Sequence, residues 1–257
     1  MSAADLLLQL ALFAASLVAN LLSALAGGGA GLVQLPVLIL LGLSFPVALA
    51  THKLASVALG VGATLRHARE RSLNPRLAAF VLVCGLPGVV LGARTVLSLP
   101  PKLCTLLLGV LTIGLGLYSL ARPQMGVAAT TPLLNSRRLA IGGLGLFAIG
   151  FLNGSLTSGT GLFVTLWLVR WFGLDYGRAV AYTLILVGLF WNGAGAISLG
   201  SQGQIAWTWV PMLLAGSIAG GYLGAHLAIA RGSRVVKRAF EALALVMGGS
   251  LLWKGLG

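Results

Sequence analysis

The sequence predicts an all-α integral membrane protein of two inverted repeats, each of about five hydrophobic segments, with Gly-rich broken or short helices meeting near the bilayer midplane. Three observations lead there. Charge is scarce, apolar stretches of about 20 residues recur, and the second half repeats the first in outline. The 257 residues are 58% hydrophobic and 8% charged, against about 25% charged in a soluble domain. So few charges cannot cover a water-facing surface.

The apolar stretches are Leu6–Leu25, Pro46–Leu65, Leu77–Leu97, Leu103–Leu120, Leu139–Leu156, Val180–Leu199, Ile205–Ala230 and Val235–Trp253. Each suffices, at about 1.5 Å per residue, to cross a hydrocarbon core roughly 30 Å thick. Alternating segments of a membrane β-barrel are absent, so the spans read as helices. Ala24-Leu25-Ala26 resembles a signal-peptide cleavage site, but Met1–Asp5 carries no Lys or Arg. The segment is therefore read as a transmembrane helix. Cys84 and Cys104 both lie in apolar runs and do not form a disulfide framework.

The halves align on one another. Gly27-Gly28-Gly29-Ala30-Gly31-Leu32 falls on Thr157-Ser158-Gly159-Thr160-Gly161-Leu162, and Gly42-Leu43-Ser44-Phe45 on Gly173-Leu174-Asp175-Tyr176. Gly88–Ala93 falls on Gly220–Ala225. Each half reads as a long span, a Gly-rich break, a short helix (Leu32–Leu43 or Leu162–Phe172) and three long spans. The short helices reach only about 16–18 Å, roughly half the membrane. Repeat boundaries are expected at 1–121 and 138–257, joined by a cytoplasmic linker at 122–137.

Five segments per half is an odd number, which inverts the second half relative to the first. The formal charge of +13 sits in short loops without a basic domain. Lipid headgroups and the positive-inside rule account for it, and no nucleic-acid partner is expected. With Arg66–Arg76 in the cytoplasm, every basic residue falls inside except Arg94, Lys102, Lys254 and the intramembrane Lys53. Omitting the short helices would send Arg231–Arg238 outside. Both termini are thus expected on the exterior of the plasma (inner) membrane. Charge does not separate a break that completes two crossings from a re-entrant hairpin.

Irregular backbone at membrane depth requires protein or water around it. Inverted repeats with broken helices are a transporter architecture that binds cargo at the repeat interface. Each break precedes a short helix, so a helix N-terminus, with its open N–H groups and positive dipole end, points towards the middle. Gly27, Gly28, Gly29 and Gly31 form one half of the expected anion cradle. Ser158, Gly159, Thr160 and Gly161 form the other. Close helix packing is the competing explanation, and it is the expectation for Gly85, Gly88, Gly92, Gly216, Gly220 and Gly224.

Lys53 lies well inside a span, where a cation costs at least about 2.5–3.5 kcal/mol. An anionic substrate is one partner for it, and backbone carbonyls are the other. Glu241 reads as an i,i+4 neighbour of Lys237. His52 is a candidate for hydrogen-bonding the anion or carrying a coupling proton, or a packing histidine. Asn153 precedes the second break as Ser23 precedes the first. With Asn192 and His226 it could line a cavity or join helices. The sequence contains no metal-ligand cluster, Walker loop, nucleophile elbow or carboxylate pair, so no enzyme activity, catalytic residue, metal or cofactor is expected.

At these residues the chain resembles the TauE/SafE family of sulfite exporters. The features are Gly27–Pro36, Ala50-Thr51-His52-Lys53-Leu54 with Ser56, Gly150-Phe151-Leu152-Asn153-Gly154, and the Leu-Gly-Ala steps at Leu91 and Leu223. Ser56 joins the candidate site on this resemblance. The resemblance implies a permease moving small sulfur-containing or organic anions, sulfite being the family default, without ATP. It departs where Ala30 interrupts the glycine run and where Tyr182-Thr183-Leu184 stands in place of Thr51-His52-Lys53. The leading expectation is a secondary transporter, an exporter by resemblance, working by alternating access. An anion channel and a non-transporting scaffold are the alternatives, and an oligomer is compatible with either.

Overall fold

The computed structural model describes residues 3–67, 73–95, 101–130, 135–155, 159–201 and 205–256. Among them every regular element is helical: α1 (Ala3–Ala26), α2 (Ala30–Leu40), α3 (Phe45–His67), α4 (Pro75–Thr95), α5 (Pro101–Leu120), α6 (Ser136–Ser155), α7 (Thr160–Phe172) and α8 (Tyr176–Tyr182). A π-helix (Thr183–Trp191), α9 (Asn192–Gly200) and α10 (Val210–Leu256) complete the chain. Six helices among the described residues are long and apolar enough to cross a membrane. The chain is an all-α, multi-pass membrane protein.

The surface is inverted relative to a soluble protein. Leu40 and Trp253 are 86% and 85% exposed, whereas Ser16, Asn20, Thr51 and Lys53 are wholly buried. An apolar exterior is stable only against lipid. Inside, each polar group must find a partner within the protein.

Glycine dictates where helices stop. Gly27, Gly28 and Gly29 have φ of 85, 134 and 97°, values that a Cβ makes costly. The α-helical ladder therefore ends, and the N–H groups of Gly27 and Gly28 both donate to Ser23 O at 2.8 Å. The chain restarts as α2, 11 residues long, and the second break restarts as α7, 13 residues long, after Gly159 at φ 77°. Both short helices fall where the sequence placed them, shifted by two residues towards the N-terminus at their starts. The expected Val180–Leu199 span instead lies within a continuous helical run whose centre is π-helical. The last two expected spans join as α10, interrupted at Gly232 (φ 75°, ψ 173°).

The two most extensive helix pairs are α1 with α10 and α4 with α6. A Cβ on Gly216, Gly220 or Gly224 would lie 2.5, 2.5 and 2.4 Å from the carbonyl oxygens of Phe13, Leu17 and Leu21. One on Gly88 or Gly92 would lie 2.2 or 2.1 Å from Phe147 O or Phe151 O. Both rows step by four residues, so bare helix backbones touch along a seam. The packing role expected for these glycines is what the structure shows. Gly85 differs in its partner: its Cβ would fall 1.8 Å from the Trp191 ring on the π-helix. The first long helix of each half thus packs on the fourth helical segment of the other.

Candidate functional site

The breaks meet. A Cβ on Gly28 would stand 2.5 Å from Gly161 Cα, and one on Gly161 would stand 2.8 Å from Gly28 Cα. Only two glycines permit this backbone contact. Beside it lies a cavity of about 40 Å³, room for about three waters or an anion of a few atoms. Neither Gly29 nor Gly159 supplies a side-chain cap to the helix it starts. The first turns of α2 and α7 therefore bring uncapped N–H groups and positive dipole ends to this space.

Most of the sequence candidates gather here. Gly28, Gly29, Gly31, Thr160 and Gly161 line the cavity from the breaks, and His52, Ser56, Asn153 and Asn192 line it from the flanking helices. Gly27 stands behind, its carbonyl accepting from Thr165 Oγ1 at 2.6 Å, which ties the first break to α7. Gly159 caps α7 and faces Leu32. Ser158 lies outside the described residues. His226 is not among the lining residues and accepts from Arg66 Nε at 3.2 Å.

Lys53 is fully buried but is not among the lining residues. Its ammonium donates to the Asn153 carbonyl at 2.8 Å and reaches Asn153 Oδ1 at 3.4 Å. Asn153 belongs to the last turn of α6, so the cation satisfies an orphan carbonyl at a negative dipole end. The same asparagine donates from Nδ2 to Thr160 Oγ1 at 2.9 Å and towards Asn192 Oδ1 at 3.4 Å. Lys53 therefore reaches the cavity through Asn153.

A chain of hydrogen bonds sets the tautomer of His52. Ser16 Oγ donates to Leu213 O at 2.7 Å, and so accepts from Gln34 Nε2 at 3.0 Å. The Gln34 amide oxygen then faces His52 Nδ1 at 2.7 Å and accepts its proton. This assignment follows from the network. It leaves Nε2 as the acceptor, 3.3 Å from Ser56 Oγ on the cavity wall.

Sequence reasoning left out several lining residues, among them Ser23, Leu59, Thr183, Leu184, Val187 and Gly188. Ser23 and Thr183 carried a signal, because the repeat aligns them with Asn153 and His52. Ser23 is 1% exposed, and its hydroxyl has no hydrogen-bond partner among the described residues. A buried orphan hydroxyl on a cavity wall is a costly feature unless something fills the space. Among the described residues, no acidic one lines the cavity. The two helix N-termini, the nearby lysine and the hydroxyls all favour negative charge. Away from it, Lys237 pairs with Glu241 as the spacing predicted.

The family model described as Sulfite exporter TauE/SafE matches residues 12–251. A probable membrane transporter protein of Haemophilus influenzae is 29% identical over 243 residues, covering 94% of this chain and 93% of that protein. The Escherichia coli K12 probable membrane transporter protein YfcA is 26% identical over 246 residues, covering 96% and 90%. The probable membrane transporter protein YunE of Bacillus subtilis is 22% identical, covering 93% and 96%. No solved structure matches the chain. Its relatives are named as transporters and not as enzymes. With a match spanning all but the ends of the sequence, this chain is a membrane transporter belonging to the sulfite exporter TauE/SafE family.

Proposed function

We propose that the chain is a secondary transporter that binds one small anion between the N-termini of α2 and α7 and moves it by alternating access. The observation that carries this reading is the acid-free cavity walled by two uncapped helix starts and the orphan Ser23 hydroxyl. Sulfite or a related sulfur-containing or organic anion is the proposed cargo and the plasma membrane the proposed location, sulfite export being what the family description names. A cavity of only about 40 Å³, walled in part by Leu59, Leu184 and Val187, supports a carrier over an open channel.

The proposed framework is two inverted repeats at 1–121 and 138–257 with both termini outside. The exchanged pairing of α1 with α10 and α4 with α6, and the contact between breaks, support the repeat, and the distribution of basic residues supports the orientation. Lys53 strengthens anion binding from behind Asn153. His52 carries the coupling proton on Nε2, so the site gains a positive charge as the anion enters. Purified protein in proteoliposomes, loaded with sulfite, sulfate, acetate or a sulfonate, tests the function. Saturable efflux of one anion, inhibited by its congeners, is the expected result. Conductance far above carrier turnover would convert the reading to a channel, and no flux of any small anion would overturn it.

A further inference from the structure

A second cavity, of about 280 Å³, lies far along the chain from the breaks, between the end of α5, segment 121–130 and the part of α10 after Gly232. Its charged lining is Arg234, Lys237, Arg238 and Glu241. Lys237 is 5% exposed, and its three donors are used on Glu241, on Ser119 O at 2.7 Å and on Ser119 Oγ at 2.9 Å. Lys237 and Glu241 therefore neutralise one another, and the cavity's positive character comes from Arg234 and Arg238. These two stand one helical turn apart, both exposed, with no carboxylate within ion-pair distance among the described residues. The nearby Asp175 carboxylate is engaged by Ser233 Oγ at 3.1 Å and by Arg178 at 3.5 Å.

The opposite wall is held in place. Tyr176 N donates to Gly126 O at 2.8 Å and Thr130 N to Gly173 O at 2.7 Å, which fastens segment 121–130 to the α7–α8 turn. The rest of the lining includes apolar Leu120, Pro123 and Val127. From Leu120 an exposed apolar stripe of Leu117 and Val110 runs back along α5. Two unpaired guanidinium groups at the mouth of an apolar groove match a phosphate carried on hydrocarbon better than a free phosphate. We propose that this cavity binds the headgroup of an anionic phospholipid, with Arg234 and Arg238 as the phosphate ligands and the α5 stripe as the acyl-chain bed. The proposal rests on the membrane setting alone and is independent of which cargo the transporter carries.

The test is native mass spectrometry of protein released from nanodiscs of equal phosphatidylglycerol and phosphatidylcholine. The wild-type protein should retain phosphatidylglycerol preferentially. Arg234→Gln and Arg238→Gln should each lower that preference about fivefold, with helix content by circular dichroism unchanged. Arg137→Gln, at another exposed basic position outside the cavity, should leave it unaltered. Equal retention of the two lipids, or an equal loss in Arg137→Gln, would overturn the site in favour of diffuse surface charge. Displacement of the retained lipid by millimolar inorganic phosphate would assign the cavity to a soluble anion and overturn the lipid reading.

Discussion

Gly28→Ala tests the contact between the two breaks. Its Cβ would lie 2.5 Å from Gly161 Cα and carbonyl carbon and 2.7 Å from Leu162 N. Carbon atoms settle at about 3.5–4.0 Å, so the two short helices must part by about 1 Å. The obstacle is backbone, and no rotamer relieves it. Gly28 also has φ 134°, but that strain can be isolated. Gly42 has φ 106° and nothing within 4 Å of its Cβ, so Gly42→Ala carries only the left-handed penalty of about 1–2 kcal/mol. Gly161→Ala carries the contact without the strain. Loss of one hydrogen bond to a charged ligand costs about 1.5–3 kcal/mol, roughly 10- to 150-fold in affinity. The assay is anion binding by calorimetry beside thermal unfolding in detergent. Gly28→Ala and Gly161→Ala should bind at least about tenfold more weakly. Gly42→Ala should lose only stability. Binding in Gly28→Ala and Gly161→Ala as tight as in Gly42→Ala would refute the reasoning.

Lys53→Gln removes a buried charge and its bond to Asn153 O, and should weaken anion binding by about 1–3 kcal/mol, roughly 5- to 150-fold. Equilibrium binding compared with Asn153→Ala and the double variant reads the coupling, and additive losses would separate Lys53 from the site. His52→Gln should reduce the pH dependence of transport, with Lys53 still present behind Asn153. In the wild type, protonation of Nε2 adds a positive charge beside the cavity, so affinity should rise as pH falls; proteoliposomes at stepped pH check this, and an unchanged profile in the variant would remove the proton from His52. On a background lacking Cys84 and Cys104, an impermeant thiol reagent applied outside should modify Ser201→Cys and spare Arg137→Cys. The reverse pattern would defeat the proposed orientation.

Membrane character and the two breaks were legible because their physics is local. Twenty apolar residues need no partner to be recognised, and a glycine run halts a helix whatever surrounds it. Duplication then made the two breaks halves of one cradle, while the contact of Gly28 with Gly161 is given by the fold alone. The fate of Lys53 was not legible. Substrate and backbone carbonyl are equally good acceptors in a sequence, and only the fold brings the end of α6 to within 2.8 Å of its ammonium. Gln34 was invisible for the same reason. Its importance lies in joining Ser16 on α1 to His52 on α3, residues whose proximity no spacing announces.

The π-helix joins the repeat to the asymmetry of the cavity. Between Gly42 and Gly88 the first half has one residue fewer than the second has between Gly173 and Gly220, and Thr183–Trp191 lies inside that interval. A helix that gains a residue without breaking takes it up as i→i+5 bonding, which widens the turn and re-aims the side chains beyond it. The wide segment lies against α3 where Gly188 and Gly60 leave room, since a Cβ on Gly188 would fall 2.9 Å from Gly60 Cα. It presents Thr183, Leu184, Val187 and Gly188 to the cavity, facing His52 and Ser56 from α3. One wall can therefore hydrogen-bond and titrate while most of the other is smooth and apolar. The two helix N-termini supply a nearly symmetric attraction for negative charge, and α3 adds His52 and Ser56 to the Asn153, Thr160 and Asn192 that the second half contributes. His52 has no counterpart in the second half, where Thr183 stands in its place, so selectivity among anions is expected to be most sensitive to His52.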